Sequence, residues 1–402
     1  MEEQPVGEGG YAKVTRRGEV AIKRIKWSNL ESAVRELIFI KSCSHECIIS
    51  IIAIESEPEH IKLVMKFYPT VLTKYRARGP TDVVSIAYGL VCACEYIHAM
   101  GIIHSDIKSD NILVEEGPAP CPVLCDFGIS LRVEERRHVG SVQTVTYRAP
   151  EVDFDVHTVL HTTAIDIWSV GAVMFRVVTG RSMMNYIPDC EDSSVYAARF
   201  FGIANRPDIG GNINKMGKAG RKARLKTLYQ LRGADITAKL LNSFGMSIEA
   251  PLYLYGVVDV ISLMLHPNPE IRSTAGTLAD ILEKIVKKWC PEVKQVLRYR
   301  QVGKKPPSIT IRAGSQTIDE LTCAVNVPIE VIGSCSADCL NYAEMLYHTY
   351  VTRAGVNKLE VSLACIYMAS ATYCDSNALR AILAVMDLEQ IQKYTAMILG
   401  VL

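Results

Sequence analysis

A surplus of charge of either sign is missing from this sequence. Its 402 residues hold 44 Lys and Arg against 43 Asp and Glu, a net charge of +1. The chain average offers no bulk positive field, which argues against a nucleic-acid partner. Aromatic residues are sparse at 7%, but apolar residues reach 49% and charged ones 22%, a balance that supports packed cores rather than disorder. No uninterrupted apolar run reaches the roughly 18 residues of a membrane span. The nearest, Leu252–Leu265, is broken by Asp259, so no membrane partner is expected. The opening MEEQPVGEGG lacks the basic and apolar regions of a secretory signal. No internal repeat of solenoid period is present.

Cysteine is not lacking. There are 13, an odd number, with three CxxxC pairs at Cys43/Cys47, Cys121/Cys125 and Cys335/Cys339. None completes the paired CxxC set of a zinc module. The expectation is reduced, mostly buried thiols in an intracellular protein of nucleus or cytoplasm. His45, between Cys43 and Cys47, makes a weaker metal candidate.

The length is roughly two to three typical domains, so more than one core is expected. From Gly7 to about Arg78 the text reads as short strands, among them Val20–Lys23 and Ile61–Met65, around one helix. Ser28-Asn29-Leu30-Glu31 has the form of a capping box opening that helix. From Thr81 to about Trp289 the text is mostly helical, with loops near Glu115–Pro122 and Pro188–Lys226. Residues 291–316, with Pro306-Pro307 and surplus Lys and Arg, read as a linker. Residues 317–402 carry nine acidic and four basic side chains, a balance of −5 that leaves +6 for residues 1–316. That shift coincides with the Pro-rich break and marks a domain boundary.

The chemistry-bearing motifs come in a definite order. Gly7-Glu8-Gly9-Gly10-Tyr11-Ala12-Lys13-Val14 is a glycine loop, where missing Cβ atoms let backbone N–H groups approach phosphate oxygens. Lys23 ends Val-Ala-Ile-Lys, where a strand lysine can reach nucleotide phosphates. Its amine needs an anionic partner; Glu36 on the following helix suits it, with Glu31 as competitor. In His104-Ser105-Asp106-Ile107-Lys108-Ser109-Asp110-Asn111, Asp106 can take a proton from a hydroxyl and Lys108 can neutralise a transferred phosphoryl group. Asn111 can ligate a metal. Asp126, in Cys125-Asp126-Phe127-Gly128, offers a hard carboxylate to Mg²⁺. Each string alone reads equally well as a loop with ordinary caps. All of them in this order do not.

Together these motifs resemble the eukaryotic-type protein kinases over the first ~290 residues. The resemblance implies an α+β bilobal fold for residues 1–290, with a β-rich N-lobe over about 1–68 and a helical C-lobe over about 69–290. It implies ATP and Mg²⁺ as cofactors and protein substrates as partners. Val6, Val14, Ala21 and Leu113 would sandwich the adenine behind the gatekeeper Met65, with the hinge Lys66-Phe67-Tyr68 binding its edge. Gly7, Gly9 and Gly10 would cover the phosphates, and Lys23–Glu36 would be the ion pair of the active state. Asp106 would be the catalytic base, Lys108 its phosphate-facing partner, and Asn111 and Asp126 the metal ligands. Asp166 would brace the catalytic loop, and Glu151 would pair with Arg272. Lys108, two residues after the base, is the serine/threonine pattern.

Val34-Arg35-Glu36-Leu37 and Thr144-Val145-Thr146-Tyr147-Arg148-Ala149-Pro150-Glu151 are similar to the cyclin-dependent-kinase group. There an arginine at the Arg148 position goes with proline-directed substrates. Ser105 replaces the usual arginine before the base, which predicts activity without loop phosphorylation; Ser141 and Thr144 remain candidate acceptors. With six residues before Gly7, the first strand is expected to be clipped, and the compressed N-lobe suits a virus-encoded kinase acting in a host cell. The basic run Lys215–Lys226 reads as a solvated insert, with nuclear import or an acidic partner as alternatives.

Residues 317–402 read as short helices around an apolar one, Lys358–Tyr373. They resemble one cyclin-box repeat, most like that of B-type general transcription initiation factors. That implies an all-α cyclin-like domain and a regulatory contact, either intramolecular or with a cyclin-like partner. A bundle that only buttresses the kinase is the plainer reading. Competing readings of the whole chain are a pseudokinase scaffold and a transcription-associated adaptor.

Overall fold

Strand-forming runs and helical periodicity separate the chain into two units, each with its own core. The computed structural model describes residues 3–8, 12–26, 29, 33, 35–37, 39–40, 43–56, 60–133, 136–137, 142–153, 159–183, 197, 200–201, 227–244, 252–300, 343 and 364–365. The first unit takes in residues 1–44, 49–67 and 305–402, the second residues 45–48 and 68–304.

The first unit is built on a five-stranded antiparallel sheet in the order β1-β2-β3-β5-β4. Its strands are β1 (Gln4–Glu8), β2 (Ala12–Arg17), β3 (Val20–Lys26), β4 (Ile51–Ser56) and β5 (His60–Lys66). Ile22, Ile25, Ile61 and Leu63 of β3 and β5 are buried, as are Ala33, Leu37, Phe39 and Ile40. The first strand, expected to be clipped, is β1, five residues long. Glu3 holds it, accepting hydrogen bonds from Thr15 Oγ1 and Arg24 Nη2, both at 2.8 Å. A register shift between Pro5 and Gly7 leaves Val6 49% exposed. Gly9, Gly10 and most of the expected capping box lie outside the described residues.

In the second unit, β6 (Thr70–Val71), β8 (Ile112–Glu115) and β9 (Cys121–Leu124) form a small sheet, with β7 (Ile102–Ile103) close by in sequence. The loop expected near Glu115–Pro122 is the turn of the β8–β9 hairpin, which pairs Glu115 with Cys121. The helices are α1 (Pro80–Ala99), α2 (Ala164–Thr179), α3 (Gly233–Phe244), α4 (Leu252–Met264) and α5 (Ala275–Trp289). Helix α1 begins with Pro at its first turn and is buried along nearly its whole length. It passes so near β9 that a Cβ on Gly89 would lie 2.6 Å from Pro122 Cγ. By length and composition α1 could cross a membrane, although Asp82 and Glu95 punctuate its apolar sequence. Of its most apolar window, 83% is buried inside the protein, the setting of a core helix.

Two expected boundaries move. Residues 45–48 belong to the second unit although they fall within 1–68, because Cys47 O accepts Leu124 N at 2.9 Å and Ile48 pairs in parallel with Leu124. Residues 291–300, expected in the linker, fold as a short helical segment, Pro291–Tyr299, kinked at Val293. Val293, Val296 and Tyr299 recur every third residue and are buried, as a 3-10 helix requires for one apolar face. Pro306-Pro307 and the run Lys215–Lys226 lie outside the described residues, as does the expected cyclin-like domain save for Ala343, Ala364 and Cys365. Those three are helical and fully buried.

Candidate active site

In the first unit β3 presents Lys23 at mid-strand, opposite Val14 on one side and Leu63 on the other. Its Nζ donates to both carboxylate oxygens of Glu36, at 2.7 and 2.8 Å. Glu36 is buried, so desolvation favours this close pairing over a solvated carboxylate. The competing Glu31 lies outside the described residues. Val14 and Ala21 are half-buried, and Ala21 stands opposite the buried Met65. The Phe67 N–H donates to Glu19 O at 2.9 Å and is therefore committed within its own unit.

In the second unit the sequence from His104 to Asn111 folds back on itself around Asp106. Asp106 Oδ2 accepts Lys108 Nζ at 2.7 Å and Asn111 Nδ2 at 3.0 Å. Oδ1 accepts Thr144 Oγ1 at 2.8 Å and Thr144 N at 3.2 Å. Lys108 also donates to Thr144 Oγ1 at 3.2 Å. Asn111 Nδ2 donates a second time, to Asp106 O at 2.9 Å, which turns the amide oxygen away from Asp106. A carboxylate with four donors around it is held in one rotamer.

The support beneath this loop is Asp166, fully buried on α2. Its carboxylate accepts His104 N at 2.7 Å and Ser105 N at 2.9 Å, with His98 Nε2 at 3.0 Å. His104 sits under the loop, its Nδ1 accepting Asp106 N at 3.3 Å and its ring edge-on to Phe127. Burial holds the His104 imidazole below its ordinary range, against the pull of Asp166, Asp106 and Asp126. Asp126 lies two residues past β9, with φ +67°.

Two further anchors fix the segment from Val142 to Asp153. Gln143 Nε2 donates to Ile165 O at 2.9 Å and Ser169 Oγ at 2.8 Å, while its Oε1 accepts Ala149 N at 3.0 Å. Arg272 makes a bidentate pair with Glu151, at 2.6 and 2.9 Å, and its Nε donates to His266 O. The motifs did not single out Gln143 as an anchor. Thr144 was singled out as a phosphate acceptor, and the structure commits its hydroxyl to Asp106. No sequence motif marks either contact, since both depend on backbone turns.

The structure thus brings together Lys23 with Glu36, and Asp106 with Lys108 and Asn111. Gly7 is described at the end of β1, while Gly9 and Gly10 are not described. Leu113 lies on β8 opposite Val71 and Val123, and Tyr68 is half-buried, which pushes its phenol up to about 12. Among the described residues no three His, Cys, Asp or Glu side chains cluster to hold a metal. At the candidate Cys43/His45/Cys47 site, His45 Nδ1 instead accepts Cys47 N at 3.0 Å.

A family model of the protein kinase domain matches residues 1–284. The chain belongs to the protein kinase family. Human mitogen-activated protein kinase 12 is similar to it at 30% identity over 294 residues, covering 68% of this chain and 74% of that protein. The mouse protein of the same name reaches 34% with the same coverage. A probable cell division protein kinase of Encephalitozoon cuniculi is 30% identical over 43% of this chain and 69% of its own length. Among solved structures, a chain of the CAK complex of Chaetomium thermophilum bound to ATP-gamma-S is similar in fold. Its TM-score is 0.52 at 23% identity, over 69% of this chain and 88% of that one. The kinase is a serine/threonine protein kinase, a transferase that binds ATP.

Proposed function

We propose that this kinase moves the γ-phosphoryl group of ATP to a protein hydroxyl with Asp106 as the base. The observation that carries the reading is the grip on Asp106: Lys108, Asn111 and Thr144 hold its carboxylate in one orientation. Asp106 takes the hydroxyl proton, and Lys108 offsets charge on the group in transfer. Lys23, oriented by Glu36, engages the nucleotide's phosphates. Asn111, whose amide oxygen faces away from Asp106, and the carboxylate of Asp126 are hard oxygen donors that suit Mg²⁺. Bound there, the metal would supply charge neutralisation at the phosphates. Asp106→Asn should abolish autophosphorylation and peptide phosphorylation while nucleotide binding stays near wild type. Wild-type turnover in that variant would sink the assignment.

The reading extends to proline-directed substrates. Gln143 is held at φ +59°, and its carbonyl accepts Arg148 Nη2 at 2.9 Å and Nε at 3.3 Å. That carbonyl is then not offered to the amide of the residue after the phosphoacceptor. Proline, which has no N–H, loses nothing there, whereas other residues leave a donor unpaired.

Regulation by residues 317–402 in cis is the third part of the proposal. Ala343, Ala364 and Cys365 are fully buried and fall in the same unit as Glu36. Truncation after Lys304 should lower activity on peptides, and full activity of the truncated chain would refute a cis regulator.

A further inference from the structure

Cys47 and Cys121 take no part in the chemistry above, although they lie side by side in the second unit. Their Sγ atoms are 3.8 Å apart, van der Waals contact for two sulfurs. A disulfide needs about 2.05 Å, so the sulfurs must close by about 1.8 Å to bond. Cys47 is fully buried and lodges beside Gly89 of α1, where its sulfur would lie 3.2 Å from a Cβ. Cys121, the first residue of β9, keeps 8% of its surface accessible. Their backbones are tied through the pairing of residues 47 and 48 with Leu124, so the two side chains cannot drift apart.

The proton shared by the pair has a preferred side. Burial raises the Cys47 thiol well above its ordinary range. The Cys47 S–H donating to Cys121, backed by the Tyr299 hydroxyl, holds Cys121 below it despite burial. When protonated, Cys121 Sγ can donate weakly to the carbonyls of Glu46 and Pro122, at 4.0 and 3.8 Å. The accessible sulfur is thus the better nucleophile and the buried one its neighbour in wait.

We propose that Cys47 and Cys121 form an oxidisable dithiol, closed to a disulfide by a hydroperoxide and reopened by thiol reductants. The Cys121 thiolate attacks one peroxide oxygen; an S–O bond forms, the O–O bond breaks, and hydroxide leaves to be protonated by solvent. Cys121 is then a sulfenic acid. The Cys47 sulfur attacks it; the S–S bond forms, the S–O bond breaks, and hydroxide departs with the Cys47 proton as water. Two thiols are oxidised and one hydrogen peroxide is reduced to two waters. The bond removes the Cys121 thiol that Tyr299 hydrogen-bonds, so the segment Pro291–Tyr299 loses a polar anchor.

The test uses the reduced full-length protein, treated with hydrogen peroxide and digested without reductant. Mass spectrometry should find a Cys47–Cys121 crosslinked peptide, lighter by two hydrogens than the separate peptides and lost on adding dithiothreitol. In Cys47→Ser, dimedone should label Cys121 as the trapped sulfenic acid. Recovery of both residues as free thiols while the half-buried Cys43 is oxidised would overturn the proposal, as would a Cys47→Ser protein that dimedone leaves unlabelled at Cys121. Should that variant not fold, alkylation of the native wild type decides. Iodoacetamide should modify Cys121 about tenfold faster than the buried Cys92, and an equal or slower rate overturns the assignment.

Discussion

Among the described residues three non-glycine residues have positive φ: Ser105 at +67°, next to the proposed base Asp106, Asp126 at +67° and Gln143 at +59°. Each such residue costs about 1–3 kcal/mol, and persists because its surroundings over-determine it. Ser105 is held by Asp166 through its N–H and by Gln143 N on its carbonyl at 2.8 Å. Gln143 is held by the three side-chain bonds described above. Its strained backbone turns the carbonyl to Arg148, which makes Arg148 the residue to test for substrate choice. In Arg148→Ala the Gln143 carbonyl becomes available to a substrate amide. The kcat/KM ratio for Ser-Pro over Ser-Ala peptides should then fall by about fivefold, the worth of one hydrogen bond near 1 kcal/mol. An unchanged ratio would remove the proline argument.

At the scale of elements, the segment Pro291–Tyr299 is the least anticipated piece. Its apolar residues recur every third position, and its surplus of basic residues made it read as linker. One arginine accounts for the difference. Arg300 Nε and Nη2 pair with Glu95 of α1 at 3.0 and 2.9 Å, and Nη1 reaches Asp280 at 2.6 Å and Glu283 at 3.0 Å, both on α5. Arg298 adds a bond to Glu46 at 2.8 Å. Because these carboxylates are partly exposed, solvent screens much of the attraction. Arg300→Ala should cost about 1–2 kcal/mol and show as faster limited proteolysis within residues 291–304. Cleavage at the wild-type rate would mean that burial of Val293, Val296 and Tyr299 alone holds the segment.

For the molecule as a whole, buried histidines set an acid limit on the second unit. His45, His104 and His266 are each held below the ordinary 6.5 by burial. Near neutrality both native and unfolded chains leave them uncharged. As pH falls through 6.5 the unfolded chain takes up protons that the native unit refuses, so stability is lost. Each histidine contributes up to about 1.4 kcal/mol per pH unit below that point. The melting temperature should therefore be level above about pH 7 and decline toward about pH 5.5, and a flat profile across that span would contradict the buried neutral state.

Much of this protein was legible in the text because its proposed catalytic groups are local in sequence. Asp106, Lys108 and Asn111 lie within one short loop, Lys23 ends a strand, and Glu36 follows on the next helix. The resemblance to kinase motifs, rather than spacing, favoured Glu36 over Glu31 as the partner of Lys23 and implied the pairing of Glu151 with Arg272. Tertiary structure decided what depends on segments meeting from far apart in the chain. It gave the Thr144 hydroxyl to Asp106, turned Gln143 to Arg148, brought the Cys47 and Cys121 sulfurs into contact, and folded residues 291–300 back onto α1 and α5. The physical reason is that hydrogen bonds and burial are satisfied in space, and a backbone forced to φ above zero leaves no trace in residue type.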